Sequence, residues 1–394
     1  RGREVLSGLE EPSRARRGRS FGPLPEPISL HGREEDATSL SDSLLAGSNV
    51  LLSGLPGVGK SSLARAVAEQ ALSMGWTVRW ASCGSDTDAA GIGEMWLGEG
   101  APSSPSAIIG ASDGTRTLLV LDEAQELHPR HAAGAAELLD EASPGSSSVL
   151  AVSRSPSPFG IPEGFSEFKL EGLALEHARS LLPSDTDSTT ARAVAEALGG
   201  HPLALRLWSP DEEVPERSEA VQEYIESTVM RRLSDEGTGT LDEFCISPSS
   251  LEVSELFETE GADELDDSAI LRWSGVMAEP HHLIRNVRRG SWSDEQSTAL
   301  HSQAAGRWAT RQGARARRME GHHMVHSGGP DAEWLSEHIH AIAEQDSAAA
   351  AVLLEQAVDL SEDESIREAA ADLALERGEA GIAESHIEDL RVGV

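Results

Sequence analysis

The sequence predicts an α/β fold in which a parallel, doubly wound sheet is followed by a largely helical second half. Three observations carry that expectation. A glycine-rich turn, Gly54 to Ser62, lies between the apolar run Asn49-Val50-Leu51-Leu52-Ser53 and a segment with Leu63, Ala66, Val67 and Leu72 at helical spacing. A second apolar run, Thr117 to Leu121, ends in the paired carboxylates Asp122 and Glu123. Strand-type and helix-type segments then alternate to about residue 178, the pattern that builds a parallel sheet with crossover helices.

Taken in order, residues 1–27 mix Arg14, Arg16, Arg17 and Arg19 with glycine and four prolines and read as a linker with a weakly basic start. The chain begins with Arg1, and the expectation is a segment of a longer polypeptide whose missing upstream part carries an output domain. Glu4 to Arg19 would be the wing end of a truncated DNA-binding winged helix. Leu40, Leu44 and Leu45 mark a helix before the first strand.

The turn reads Gly54-Leu55-Pro56-Gly57-Val58-Gly59-Lys60-Ser61-Ser62, which satisfies G-x-x-x-x-G-K-[ST] between a strand and a helix. Its glycines let successive backbone N–H groups converge on phosphate oxygens, and the helix N-terminus adds partial positive charge. Gly54, Pro56, Gly57, Val58, Gly59, Lys60, Ser61 and Ser62 are therefore the expected nucleotide contacts. Lys60 would bridge the β- and γ-phosphates, and Ser61 would ligate Mg²⁺. Lysine occurs only at Lys60 and Lys169 in the whole chain.

Trp76 to Ala81 reads as a second strand, and residues 83–116, rich in Gly, Ser and Pro, as a small helix and loops. Asp122 and Glu123 then leave the C-terminal end of the third strand, the edge where ligands bind in open α/β sheets. Asp122 would hold Mg²⁺ through its water shell, and Glu123 would orient or deprotonate the attacking water. Ser148 to Val152 is a fourth strand that delivers Ser153 and Arg154 to the same edge, where a guanidinium can sense a γ-phosphate. Phe165 to Leu170 is a fifth.

Thr190 to Leu198 reads as a helix, followed by Gly199-Gly200-His201-Pro202-Leu203 and a new helix that proline is suited to begin. At this point the ordered set of Gly32-Arg33-Glu34, the P-loop, Leu121-Asp122-Glu123, Ser153-Arg154 and Gly200-His201-Pro202-Leu203 resembles the signal-transduction ATPases with numerous domains, the group that includes the NB-ARC proteins. The resemblance covers residues 28 to about 208. It implies a P-loop NTPase of the ASCE type with strand order 5-1-4-3-2, then a helical lid, a winged helix and an α-helical C-terminal region. It also implies that Arg33 lies near the adenine or ribose, that Arg154 is the sensor after the fourth strand, and that Pro202 packs on the nucleotide from the lid. Pro280-His281-His282-Leu283-Ile284 resembles the family's Met-His-Asp latch, with Pro280 for Met and His282 for Asp, and this implies that His281 touches the β-phosphate of ADP.

The expected divisions are a linker at 1–27, the P-loop domain at 28–175, a lid at 176–235, a winged-helix-like domain at 236–310 and helical repeat-like residues 311–394. Ala349, Val352, Leu353, Val358, Ala369, Leu373 and Leu375 recur at helical intervals in the last. His322, His323 and His326 read as a helical surface, since no carboxylate or cysteine nearby completes a ligand set.

With 67 Asp and Glu against 32 Lys and Arg, the formal net charge is −35, which excludes a broad electrostatic grip on nucleic acid or an anionic membrane. Cys83 and Cys245 are too few for a disulfide framework or a zinc site, and no apolar run has the length of a membrane span. The expected protein is cytoplasmic: an ATP-binding, slowly hydrolysing regulatory switch in signal transduction or transcription. ADP would hold a closed form and ATP an open, homo-oligomeric one, with a protein or small-molecule signal read by the C-terminal helices. The alternative is an AAA+ mechanochemical or DNA-loader ATPase.

Overall fold

The computed structural model describes residues 17–22, 24–25, 30–114, 116–142, 147–211, 214–215, 221–226 and 230–392, with the backbone alone at 389–392. The stretch read as the end of an upstream winged helix therefore lies almost wholly outside the described residues.

Six parallel strands form the first sheet: β1 Ser20–Phe21, β2 Asn49–Gly54, β3 Thr77–Ser82, β4 Thr117–Asp122, β5 Ser147–Val152 and β6 Phe165–Leu170, in the order β1-β3-β4-β5-β2-β6. The five strands expected from the sequence stand in the expected order. The sixth, β1, comes from within the segment read as linker, where Ser20 and Phe21 pair with Val78 and Arg79. Two residues with no apolar periodicity leave no strand signal, and the open edge of β3 recruits them. β2, β4 and β5 are buried along their whole length, as continuous apolar runs in a sheet covered on both faces must be.

One face packs against the helices Glu34–Leu45 and Lys60–Ser73 through Leu40, Leu44, Leu63, Val67 and Ala71. The other packs against Ala89–Leu97, Pro105–Ser112 and Pro129–Glu141 through Ile92, Trp96, Ile108, Leu138 and Leu139. Two helices thus occupy the stretch expected to hold one. Serine and glycine lower helix propensity there, but Ile92, Trp96 and Ile108 are each 0% exposed, and their burial overrides it.

Beyond β6, short helices that include Ser188–Ala197 and Pro202–Leu207 lead into the helix Asp235–Ile246 and a three-stranded antiparallel sheet. Its strands are β7 Leu251–Glu252, β8 Leu271–Ser274 and β9 Met277–Pro280, ordered β7-β9-β8. A single apolar core runs from Leu173 to Met319. Helices from Ala314–Val325 to Ala380–Val392 complete the chain around a separate core of Leu335, Ile339, Leu353, Leu354 and Ile366. No helix among the described residues is long and apolar enough to cross a membrane.

Candidate nucleotide site

The carboxyl ends of β2, β4 and β5 meet at one sheet edge, with Leu121 opposite Ala151 and Leu52 opposite Val152. Parallel pairing alone brings the P-loop, Asp122, Glu123 and Arg154 together, although nearly a hundred residues separate the first from the last. In the P-loop Gly57 has φ +78° and Gly59 φ +101°, a region that side chains disfavour. A Cβ on Gly57 would also stand 2.9 Å from Cε1 of His201.

The Lys60 side chain folds back over the loop, its Nζ donating at 3.0 Å to the carbonyls of Gly54 and of Leu55. Burial lowers this amine to about 8, against the opposing pull of Glu123 and Asp122. Ser61 opens the following helix and donates to Oδ1 of Asp122 at 3.0 Å. Burial first, then the charge of Glu123, raises the Asp122 carboxyl to about 7. The donors fit the expected ligands: a buried ammonium whose partners are only neutral carbonyls suits phosphate, and a hydroxyl beside a carboxylate destabilised in its charged form suits a divalent cation.

Glu123 adopts the left-handed region at φ +55°, uncommon for a residue with a side chain and a mark of functional sites. Its carboxylate does not face open solvent. Oε1 accepts from Arg272 Nη1 at 2.7 Å, and Oε2 lies 3.4 Å from Nε2 of His282. Arg272 stands on β8 opposite Glu279 on β9, and that cross-strand pair, 3.0 Å apart, aims the guanidinium. Burial alone would push the Glu123 carboxyl up, but Arg272 and His282 together hold it well below the ordinary range.

Glu126, one turn on, lies 3.3 Å from His282 Nδ1 and pairs with Arg154. The backbone N–H of Arg154 donates to Oε1 of Gln125 at 3.0 Å, which fixes the residue to the Asp122–Glu126 loop. Arg154 therefore reaches the edge where the sequence places it, with its guanidinium turned to Glu126. Arg33 is buried against the outside of the P-loop and donates to the carbonyls of Val58 at 3.3 Å and Glu171 at 2.5 Å. Its observed work is to brace the loop on β6.

Pro202 begins its helix as expected, yet the residue that touches the P-loop is His201, whose Nε2 lies 2.8 Å from the Pro56 carbonyl. Its Nδ1 accepts from the backbone N–H of Ala204 at 3.3 Å, so Nε2 carries the proton and donates to Pro56. Burial lowers this imidazole to about 4 and keeps it neutral.

At the latch motif the structure brings forward the second histidine. His281 is the N-cap of the helix His282–Gly290, and its side chain makes no capping hydrogen bond. His282 is the one that reaches Glu123 and Glu126. Sequence reasoning missed Arg272, His282 and Glu126, and gave His201 no role of its own. The place of His282 in the latch motif, where the family has Asp, was the one available signal; Arg272 had none.

The C-terminal helices return to the same domain. Arg130 pairs with Glu355 at 2.7 Å and with Glu379, Arg377 pairs with Asp88 at 2.7 Å, and Arg318 pairs with Asp86. His131 Nε2 lies 3.3 Å from the Ala348 carbonyl.

Residues 50–162 match the family described as ATPase family associated with various cellular activities (AAA). No curated protein matches the chain. Among solved structures, a signal transduction ATPase with numerous domains (STAND) carrying a tetratricopeptide repeat sensor, from Pyrococcus horikoshii, aligns with a TM-score of 0.68 at 16% identity. The alignment covers 93% of this chain and 59% of that one, so this chain spans somewhat more than half the length of that protein. Drosophila ORC bound to DNA aligns over 73% of this chain and 95% of that one at 12% identity, with a TM-score of 0.34. A RuvB variant from Thermotoga maritima aligns over 66% and 95% at 15% identity, with a TM-score of 0.30, and neither of these two bears on the reading. The STAND structure shares the fold across nearly the whole of this chain. The sheet order and the P-loop give this chain a P-loop NTPase fold, and its residues 50–162 match the AAA-type ATPase family.

Proposed function

We propose that the chain is a regulatory ATP switch in the closed state, in which the three-stranded-sheet domain acts as a winged helix that restrains hydrolysis. The observation that carries this reading is the Arg272–Glu123 ion pair. A carboxylate that must orient or deprotonate water cannot do so while its oxygens face a guanidinium and an imidazole. The C-terminal helices support the same reading, because their ion pairs to Arg130, Asp86 and Asp88 hold them back on the ATPase domain.

In the working site Lys60 and the P-loop amides bind the phosphates of ATP or ADP, and Glu123, once released, positions the water. Mg²⁺, held by Ser61 and Asp122, would supply charge neutralisation of the phosphates. Arg154 would exchange Glu126 for the γ-phosphate, while Arg33 and His201 keep the loop in shape from outside. Pro202 would close over the nucleotide with its helix, and His281 would face the diphosphate when ADP is bound. A signal at the C-terminal helices would break their ion pairs and favour an open form that assembles with further copies. Contact with DNA would be made through a domain outside this chain.

A ligand shifts such an equilibrium only by its difference in affinity for the two forms. Small-angle scattering on the wild-type protein with ADP and with a non-hydrolysable ATP analogue, which keeps the Arg272–Glu123 pair intact, tests the reading. A compact particle with ADP and a larger one with the analogue is the expected result, and identical profiles with the two nucleotides would contradict it.

A further inference from the structure

The sequence reading left His322, His323 and His326 on a helical surface, and the structure corrects this for His322 and His323. His323 is 1% exposed, His322 is half-buried, and both pack against His301, itself buried, from the preceding helix. The fourth ring, His326, is exposed at the rim. The two helices are Asp294–Ala309 and Ala314–Val325, joined by a short turn, and their antiparallel packing completes a set that sequence spacing could not show.

The rings crowd together. Nδ1 of His301 and Nδ1 of His323 are 3.0 Å apart. Ring centroids are 4.8 Å apart for His301 and His326, 4.6 Å for His322 and His326, and 5.2 Å for His322 and His323. One nitrogen from each of His301, His322 and His323 falls within 4.8 Å of the others. Tetrahedral zinc at about 2.0–2.1 Å from each nitrogen sets its ligands roughly 3.4 Å apart, so rotation of the side chains suffices to close the set. Besides the His301–His323 contact, the rings of His322 and His326 have no hydrogen-bond partner among the described residues.

We infer that His301, His322, His323 and His326 form a binding site for a divalent transition metal of the zinc class, pinning the last helix of the three-stranded-sheet domain to the first helix of the C-terminal region. An all-imidazole set suits Zn²⁺, Ni²⁺ or Cu²⁺ and does not suit Mg²⁺ or Ca²⁺, which take oxygen ligands. Metal binding requires unprotonated imidazoles. Arg289 is the cation whose field reaches all four rings. Its guanidinium is committed to the carbonyls of Cys245 at 2.6 Å and Ser247 at 3.4 Å, so it lowers the affinity without filling the site. His326 at the rim supplies the entry path.

The other convergence of possible ligands, Glu123, Glu126 and His282, is already served by Arg272 and Arg154, and lies at the nucleotide site. Zinc titration of the chelator-stripped full chain, run beside a His282→Gln protein in which that second set is broken, separates the two. The expected result is one Zn²⁺ per chain at submicromolar Kd, with only nitrogen or oxygen neighbours in X-ray absorption. His301→Ala and His323→Ala should each weaken binding about a hundredfold. His326→Gln, at an exposed ring where folding is not at risk, should weaken it about tenfold. Absence of tight binding to the wild type would overturn the site. So would wild-type affinity in the His326→Gln protein and in a folded His301→Ala/His323→Ala double variant.

Discussion

Nη1 of Arg272 stands 2.7 Å from Oε1 of Glu123, an ion pair between residues 149 positions apart that ties the three-stranded sheet to the P-loop edge of the parallel sheet. The Arg272 side chain keeps 29% of its surface exposed, so the pair is worth less than the roughly 3–5 kcal/mol lost when a fully buried pair is broken. A double-mutant cycle of Arg272→Ala and Glu123→Gln, followed by chemical denaturation, should return a favourable coupling of about 1–2 kcal/mol. Additive effects would mean that the two side chains do not interact in solution.

Lys60 is buried with only neutral carbonyls accepting from it, so an incoming phosphate gains a charge-assisted contact that no other lysine provides. Lys60→Ala should reduce ATP affinity by at least an order of magnitude in calorimetry. Affinity equal to that of the wild type would remove the nucleotide site from this loop.

His201 makes the lid sensitive to acid. Its folded value of about 4 lies below the ordinary 6.5, so between those two pH values the unfolded chain binds a proton that the folded chain does not. Stability is therefore lost as pH falls from 6.5 towards 4, by up to about 3 kcal/mol from this group alone. Half-buried His281 and buried His301 and His323 add to the same slope. His201→Gln should flatten the decline in melting temperature over that window, and an unaltered pH profile would show that the ring is not buried neutral against Pro56.

Arg130 anchors the C-terminal helices through Glu355 and Glu379 with its side chain only 4% exposed. Arg130→Ala leaves Glu355 at that interface without its cation, while Glu379 keeps Arg377 at 2.9 Å, and should loosen it at a cost of about 1–3 kcal/mol. Limited proteolysis should then cut the region after residue 311 faster while the ATPase domain persists. Equal cleavage rates would place the anchor elsewhere.

The parts of the site that the sequence made legible are those whose chemistry is local. Gly57, Gly59, Lys60 and Ser61 are adjacent, and Asp122, Glu123 and Arg154 each end an apolar strand, so the alternation that predicts the sheet also predicts the edge they share. Arg272 was invisible because it lies mid-strand in a short β-hairpin and acquires its meaning only when that hairpin docks on Glu123. The latch motif pointed to His281 and gave no sign that the neighbouring His282 lies 3.4 Å from Glu123, because that contact is made only when the start of the helix His282–Gly290 docks on the sheet edge. The histidine set was split in the same way: His301 sits one helix away from His322, His323 and His326, and helical spacing relates residues only within one helix.

The most direct test of the closed-switch account is the steady-state turnover of saturating Mg-ATP by Arg272→Ala beside the wild type, with the fold of each checked by circular dichroism. Releasing a carboxylate from a partly exposed charged contact lowers the barrier by about 1 kcal/mol, so the account predicts turnover roughly threefold to tenfold above the wild type. It also predicts that Glu123→Gln abolishes that gain. Turnover in a folded Arg272→Ala protein equal to or below that of the wild type would contradict the account.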